Sequence, residues 1–82
     1  MKRDFELIRK LVLALESDDG SSAITINVDG YSEEEIGYHS YLLVDAGLAI
    51  GVDVGHLGLR LPQYQLLHLT AAGHDFADSA RE

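Results

Sequence analysis

The chain has 82 residues, which is enough for one small domain with a single core. Its 14 acidic and 6 basic residues give a formal net charge of −8. This charge argues against a protein that neutralises phosphates, so we expect poor sequence-independent affinity for nucleic acid. There is no cysteine, which excludes disulfides, thiolate metal sites and cysteine nucleophiles. We predict one domain over residues 1–82.

A first helix is predicted from Asp4 to about Glu16. Its apolar face comprises Phe5, Ile8, Leu11, Val12 and Leu15, widened by Leu7, Leu13 and Ala14. This face is broader than a one-sided surface helix needs. Either another helix covers it or a second copy of the protein does, and we take Leu7, Leu11 and Ala14 as the candidate face of a homodimer.

A strand is predicted after the first helix. Residues 18–22 form a turn-forming cluster, and residues 24–28 then alternate apolar and polar side chains with many β-branched members. Asp29 and Gly30 end this strand and lead directly into the next helix.

The second helix carries the clearest local signals in the chain. Ser32 can cap its first turn together with Glu35, and Tyr31 can pack on Ile36 as a hydrophobic staple. At the other end, Gly47 can adopt the left-handed conformation that closes a helix. These signals predict a helix that begins after Ser32 and ends near residue 46.

Helical spacing divides this second helix into two faces. The predicted core side holds Ile36, His39, Leu42, Leu43 and Ala46, with Ser40 and Gly47 at its edge. The predicted outer stripe, which we take as the candidate interaction face, holds Glu34, Tyr38, Tyr41 and Asp45. A helix that reads base edges usually offers Arg, Lys, Asn or Gln at such positions. The alternatives are a solvated charged face and a tyrosine-rich surface that binds protein.

The remaining chain predicts a hairpin and a last helix. Residues 48–54 and 64–69 are read as its strands, and the glycine-rich residues 55–63 as the connecting wing. The candidate wing residues are Leu57, Leu59 and Arg60, a set with too few cations to grip a phosphate backbone. Thr70 can cap a helix that runs to about Ala80. Its small apolar face comprises Phe76 and the alanines at 72, 77 and 80.

These elements predict an α+β, winged-helix-like domain. It has three helices and a small three-stranded antiparallel sheet in the order α-β-α-β-wing-β-α. The short helix that normally precedes the recognition helix is missing, because too few residues separate Val28 from Ser32. That difference weakens a DNA-binding interpretation, since the missing helix helps to seat the motif on the backbone.

Three stretches of the chain carry a family resemblance. They are residues 1–9, then 30–36 with Tyr38, His39 and 46–48, and finally 69–70 with 73–76. In these stretches the chain resembles a small winged-helix family of unknown function found in bacterial and phage genomes. The resemblance implies a winged-helix-like domain associated with mobile elements, and it transfers no activity or site residues.

No pattern in the chain predicts catalysis. Glu35 and His39 share a helix face, but His39 points to the core, where we expect it to be buried and hydrogen-bonded rather than bound to metal. No serine stands in a nucleophile elbow, and no glycine loop is followed by a phosphate-binding lysine. We therefore expect a non-enzymatic protein with no cofactor, metal or small-molecule ligand. Without a signal-peptide pattern or a long apolar run, we expect a cytoplasmic protein that does not enter membranes.

Three functions remain open for such a domain. The first is a regulatory or interaction module that acts through protein contacts, including contacts between two copies of the chain. The second is a DNA-binding transcriptional regulator that uses the helix over residues 32–46. The third is an acidic phage protein that blocks a host nucleic-acid-binding protein by presenting carboxylates in place of phosphates. Net charge and the acidic outer stripe favour the first.

Overall fold

Three helices and a two-stranded antiparallel sheet give this chain an α+β fold. The computed structural model describes residues 1–18, 26–55 and 61–81. Along the chain the elements are α1 (Phe5–Glu16), α2 (Glu33–Asp45), β1 (Ala49–Asp53), β2 (Tyr64–Leu69) and α3 (Ala71–Ala80). No helix within the described ranges has both the length and the hydropathy needed to cross a bilayer.

Each helix begins at a side-chain cap, as the sequence predicts. Asp4 Oδ1 accepts the backbone N–H groups of the first turn of α1, and Thr70 Oγ1 accepts the N–H of Gly73 at 3.1 Å in α3. In α2 the two halves of the capping box are both formed. Ser32 Oγ accepts the Glu35 N–H at 3.1 Å, and the Glu35 carboxylate accepts the Ser32 N–H at 2.9 Å. The cap residues therefore set where the helices start.

Gly47 ends α2 in the predicted left-handed conformation, with φ of +78°. The N–H of Gly47 donates to the Val44 carbonyl at 3.0 Å, and the N–H of Leu48 donates to the Leu43 carbonyl at 3.0 Å. This pair of bonds is the Schellman arrangement, which satisfies carbonyls that a helix end otherwise leaves unpaired.

Replacing Gly47 with alanine should lower the free energy of unfolding by about 1 kcal/mol, the cost of a Cβ at positive φ. Apart from Gly47 and its two neighbours in the chain, no described residue has a heavy atom within 4 Å of the position that the Cβ would occupy, so we expect backbone strain to dominate. Urea unfolding followed by circular dichroism measures it. Gly47→Asn is the matched control and should lose less, because asparagine tolerates this conformation. An unchanged midpoint in the alanine variant would contradict the assignment.

The predicted hairpin is confirmed. β1 pairs antiparallel with β2 from Ala49 opposite Leu69 to Asp53 opposite Tyr64, with an irregularity between Ile50 and Gly51. The first strand is slightly shorter than the predicted 48–54, since the Leu48 N–H is used in closing α2. The candidate wing residues Leu57, Leu59 and Arg60 lie outside the described residues.

The third strand predicted at residues 24–28 is not found in its described part. Residues 26–28 belong to no strand, and residues 24 and 25 lie outside the described ranges, so the described sheet has two strands rather than three. The Val28 carbonyl accepts the Tyr31 N–H at 3.2 Å across a tight turn in which Gly30 has φ of +89°. Ile26 and Val28 pack against the core without pairing. Alternating hydrophobicity reports such burial and does not report pairing.

The wide apolar face of α1 is buried within the monomer. α1 contacts α2, α3 and β2, and both Leu7 and Leu11 are 0% exposed. The predicted homodimer face at Leu7, Leu11 and Ala14 is therefore wrong for its two leucines, and only Ala14 is exposed. Of the two alternatives that the sequence left open, the chain itself covers this face, through α2, α3 and β2 together. Phe5, predicted to join the core, is instead 64% exposed.

Candidate functional site

The outer stripe of α2 presents two carboxylates and two tyrosines on one side of the helix. Glu34 and Asp45 are exposed, and Tyr38 and Tyr41 are half-buried. The ring centroids of Tyr38 and Tyr41 lie 5.9 Å apart, and Tyr64 at the start of β2 extends the row, with its ring 5.5 Å from that of Tyr41. We call Tyr38, Tyr41 and Tyr64 the tyrosine row. Tyr64 is the member that sequence reasoning missed, because no local pattern links it to α2.

Both ends of α2 carry carboxylates and its sequence contains no lysine or arginine. The carboxylates are those of Glu33, Glu34, Glu35 and Asp45, and no basic residue lies in the last turn of the helix. The ion pairs found in the described part of the chain join Arg9 to Glu6 and Arg81 to Glu16 and Asp78. None of them neutralises a carboxylate of α2. The face therefore offers acceptors and aromatic surface, which complement a cationic partner.

The opposite side of α2 holds His39, which is 1% exposed and confirmed as a buried, hydrogen-bonded residue. Its Nε2 lies 2.9 Å from the Asp4 backbone N–H, and its Nδ1 lies 2.7 Å from the Glu35 carbonyl oxygen. Because a backbone N–H only donates and a carbonyl only accepts, Nε2 is the acceptor and Nδ1 carries the proton. His39 thus joins the start of α1 to the first turns of α2.

The core side of α2 differs from its prediction at three positions. Ala46 is exposed and Leu42 is half-buried, whereas Gly37, predicted on neither face, is buried. The difference arises because Gln63 lies over Gly37, while the chain after α2 turns away at Gly47. Leu42 and Ala46 both line a surface pocket, and Leu42 also packs against the edge of the core.

Asp4 makes several hydrogen bonds near His39, at the start of α1. Its Oδ1 caps α1, and its Oδ2 accepts the Tyr31 hydroxyl at 3.0 Å. The N–H of Leu7 and then the Tyr31 hydroxyl hold the pKa of the Asp4 carboxyl below its ordinary value of 3.8. The bond to Asp4 raises the pKa of the Tyr31 hydroxyl in turn. These residues hold helices together and are not free to react.

The lowered pKa of Asp4 predicts a contribution to acid unfolding. A carboxyl with a folded pKa below its unfolded value near 3.8 stabilises fully above that value, and this contribution is lost as pH falls through the folded pKa. Asp4→Asn should therefore be less stable near neutral pH and should lose less stability between about pH 5 and pH 2 than the parent chain. Urea unfolding across that range checks it.

Asp29→Asn is the matched control for this experiment, because Asp29 is an exposed turn carboxylate. It should follow the parent pH dependence. If the stability of both variants depended equally weakly on pH, Asp4 would have no special part in acid unfolding.

A surface pocket adjoins the end of the outer stripe. Its volume is about 170 Å³, and its walls include Phe5, Leu42, Leu48 and Phe76. The rings of Phe5 and Phe76 are in contact, with centroids 5.9 Å apart. Asp45 lines this pocket as well, so the acidic stripe and the apolar pocket form one continuous surface.

Metal binding finds no support among the residues that the structure describes. They contain no group of three or more His, Asp or Glu side chains that could hold an ion. Glu35, the carboxylate nearest in sequence to His39 on that face, is engaged in the capping box with Ser32.

Comparison with known proteins gives a family and one named relative. Residues 2–82 match the family described as "Hypothetical protein (DUF2513)". A protein of Haemophilus influenzae (strain ATCC 51907 / DSM 11121 / KW20 / Rd), described as "Uncharacterized protein", is 35% identical over 83 residues. That alignment covers 99% of this chain and 69% of the relative. No solved structure matches the chain.

Proposed function

We propose that this chain, which belongs to the DUF2513 family, is a non-enzymatic regulatory or interaction module that binds a basic protein surface. The contact surface is the outer face of α2. The observation that carries the proposal is the tyrosine row, whose first two members, Tyr38 and Tyr41, lie between the exposed carboxylates of Glu34 and Asp45.

Tyrosine is suited to such a surface because it contributes a large contact area and a hydroxyl with few rotatable bonds. The Tyr41 ring contacts the rings of both Tyr38 and Tyr64, so less side-chain freedom remains to be lost on binding. Unpaired carboxylates on the same face attract lysine and arginine and repel nucleic acid. Together these features favour a cationic protein over DNA as the partner.

We also propose a finer description of the fold, as a winged-helix variant. Support comes from the order of the described elements, in which α2 is followed by the antiparallel strands β1 and β2. In this description α2 corresponds to a recognition helix that has lost the cations a DNA reader needs. A DNA-binding regulator and a phage protein that blocks a host nucleic-acid-binding protein are the alternatives.

Site-specific photo-cross-linking in cells of the source species tests the proposal. A benzophenone side chain introduced in place of Tyr38 should cross-link to one discrete protein, whereas the same group in place of the exposed His74 in α3 should not. Charge reversal by Glu34→Lys with Asp45→Lys should abolish the Tyr38 product. Equal products at both positions, or a product insensitive to charge reversal, would overturn the proposed face.

The DNA-binding alternative has its own direct measurement. A labelled random-sequence duplex is titrated with the protein at low salt, where electrostatic affinity is largest, and its anisotropy is followed. We expect no binding. Binding that weakens steeply with added salt would restore the regulator hypothesis and count against the protein-contact proposal.

Self-association is a second part of the proposal, on a surface other than Leu7 and Leu11. The exposed side chains of Ile50 and Val52 lie on one face of β1 by strand alternation, and Val54, just after the strand, is also exposed, so this edge of the sheet offers apolar surface. Light scattering at high protein concentration should then give a dimer mass that Val52→Lys reduces to that of a monomer. A monomer mass for the parent chain would contradict the proposed self-association.

A further inference from the structure

We infer that the pocket beside Asp45 receives one apolar side chain, of about the size of phenylalanine or leucine, from a basic segment of the partner protein. This inference rests on the proposed function, because it names the chemistry that the acidic face would recognise. Asp45 belongs both to the outer stripe and to the lining of the pocket, so a single partner could contact both.

The pocket has the size and lining that such an anchor needs. Its volume of about 170 Å³ is similar to that of cavities that hold a benzene ring. The floor consists of Ile8 and Leu43, which belong to the hydrophobic core. Phe5 forms part of the wall and is 64% exposed, so most of its apolar surface is available to a ligand. An inserted side chain would cover this ring and its contact with Phe76.

Charge around the pocket selects a cation beside the anchor. Asp45 and Ala46 lie at the C-terminal end of α2, where the helix dipole is negative, and no basic residue of α2 neutralises it. A lysine or arginine next to the anchor residue would lie close to Asp45 and to the C-terminal end of α2. Arg3 also lines the pocket and opposes a basic partner, so its removal should strengthen binding.

Two synthetic peptides with blocked ends test the inference on the full chain. One has a central phenylalanine flanked on each side by two lysines, and the other has alanine in place of the phenylalanine. Binding is followed by nuclear magnetic resonance, which detects weak complexes and maps them to residues. We expect the phenylalanine peptide to bind about tenfold more tightly and to shift the resonances of Phe5, Leu48 and Phe76.

Three substitutions at exposed positions test the roles of the pocket and of its charges. Ala46→Met fills the mouth of the pocket from an exposed position and should abolish the preference for phenylalanine. Asp45→Asn should weaken the binding of both peptides, and Arg3→Ala should strengthen the binding of both. Unchanged spectra away from the substituted residue confirm that each variant retains the fold.

The outcomes separate this inference from the proposed function. Equal binding of the two peptides, with shifts confined to the outer stripe, would overturn the pocket and leave the acidic face as the binding surface. If neither Asp45→Asn nor added salt changed peptide binding, both the pocket inference and the proposed acidic binding face would be contradicted. A phenylalanine preference that survives Ala46→Met would overturn the pocket as its origin.

Discussion

Replacing Gly73 with alanine will lower the free energy of unfolding by about 2–3 kcal/mol, because a buried helix surface has no room for a methyl group. The added Cβ would lie 1.9 Å from the Leu48 carbonyl oxygen and 3.1 Å from Leu69 Cβ. The Leu48 backbone is not free to move, since its carbonyl accepts the Thr70 N–H at 3.0 Å. Urea unfolding followed by circular dichroism measures the loss.

Gly37→Ala is the matched control, since Gly37 is also a buried glycine inside a helix. There the nearest atom is Gln63 Oε1 at 2.0 Å, at the free end of a flexible side chain that can rotate away. The gain in helix propensity then offsets the loss of the exposed Gln63 hydrogen bonds, so the change should stay within about 1 kcal/mol. Equal losses in the two variants would contradict the close contact between Gly73 and Leu48.

Replacing His39 with leucine should lower the free energy of unfolding by about 2 kcal/mol. Leucine roughly keeps the volume but cannot accept the Asp4 N–H, which His39 Nε2 accepts at 2.9 Å. A buried donor left without an acceptor loses its hydration and gains nothing in return. Chemical unfolding gives the stability change, and amide hydrogen exchange of Asp4 should become faster in the variant.

His74→Leu is the control for this substitution, because His74 is exposed in α3. We expect it to change stability by no more than about 0.5 kcal/mol. A His39 variant as stable as the His74 variant would show that the bond between Asp4 and His39 contributes nothing measurable.

Gly73 and His39 lie in the three stretches that carry the family resemblance, and the contacts of these stretches are structural. Asp4, Tyr31 and His39 form the polar network that joins α1 to α2. Thr70 caps α3 and donates to the Gly47 carbonyl at 2.6 Å, and Gly73 makes room for Leu48. Each of these residues supports the fold. Of the outer stripe, Glu34 and Tyr38 lie within those stretches, and Tyr41 and Asp45 lie outside them.

Helix ends were predictable from the sequence because they depend on neighbours a few residues apart. The caps at Ser32 and Thr70 and the left-handed Gly47 all form as predicted, and the strand Tyr64–Leu69 has its predicted bounds. Tyr38 and Tyr41 were also predictable as neighbours, since three residues along a helix bring side chains onto one face.

The tertiary structure decided which apolar surface is buried and which side chains meet across elements. Leu7 and Leu11 form the core rather than a dimer face because α2, α3 and β2 all pack on α1, and Phe5 stays exposed beside Phe76 of α3. Tyr64 reaches Tyr41 only because the hairpin packs on α2. Such contacts join residues far apart in the chain. Hydrophobic periodicity therefore identifies the face that a helix or strand buries, while the partner that covers it depends on how all the elements pack together.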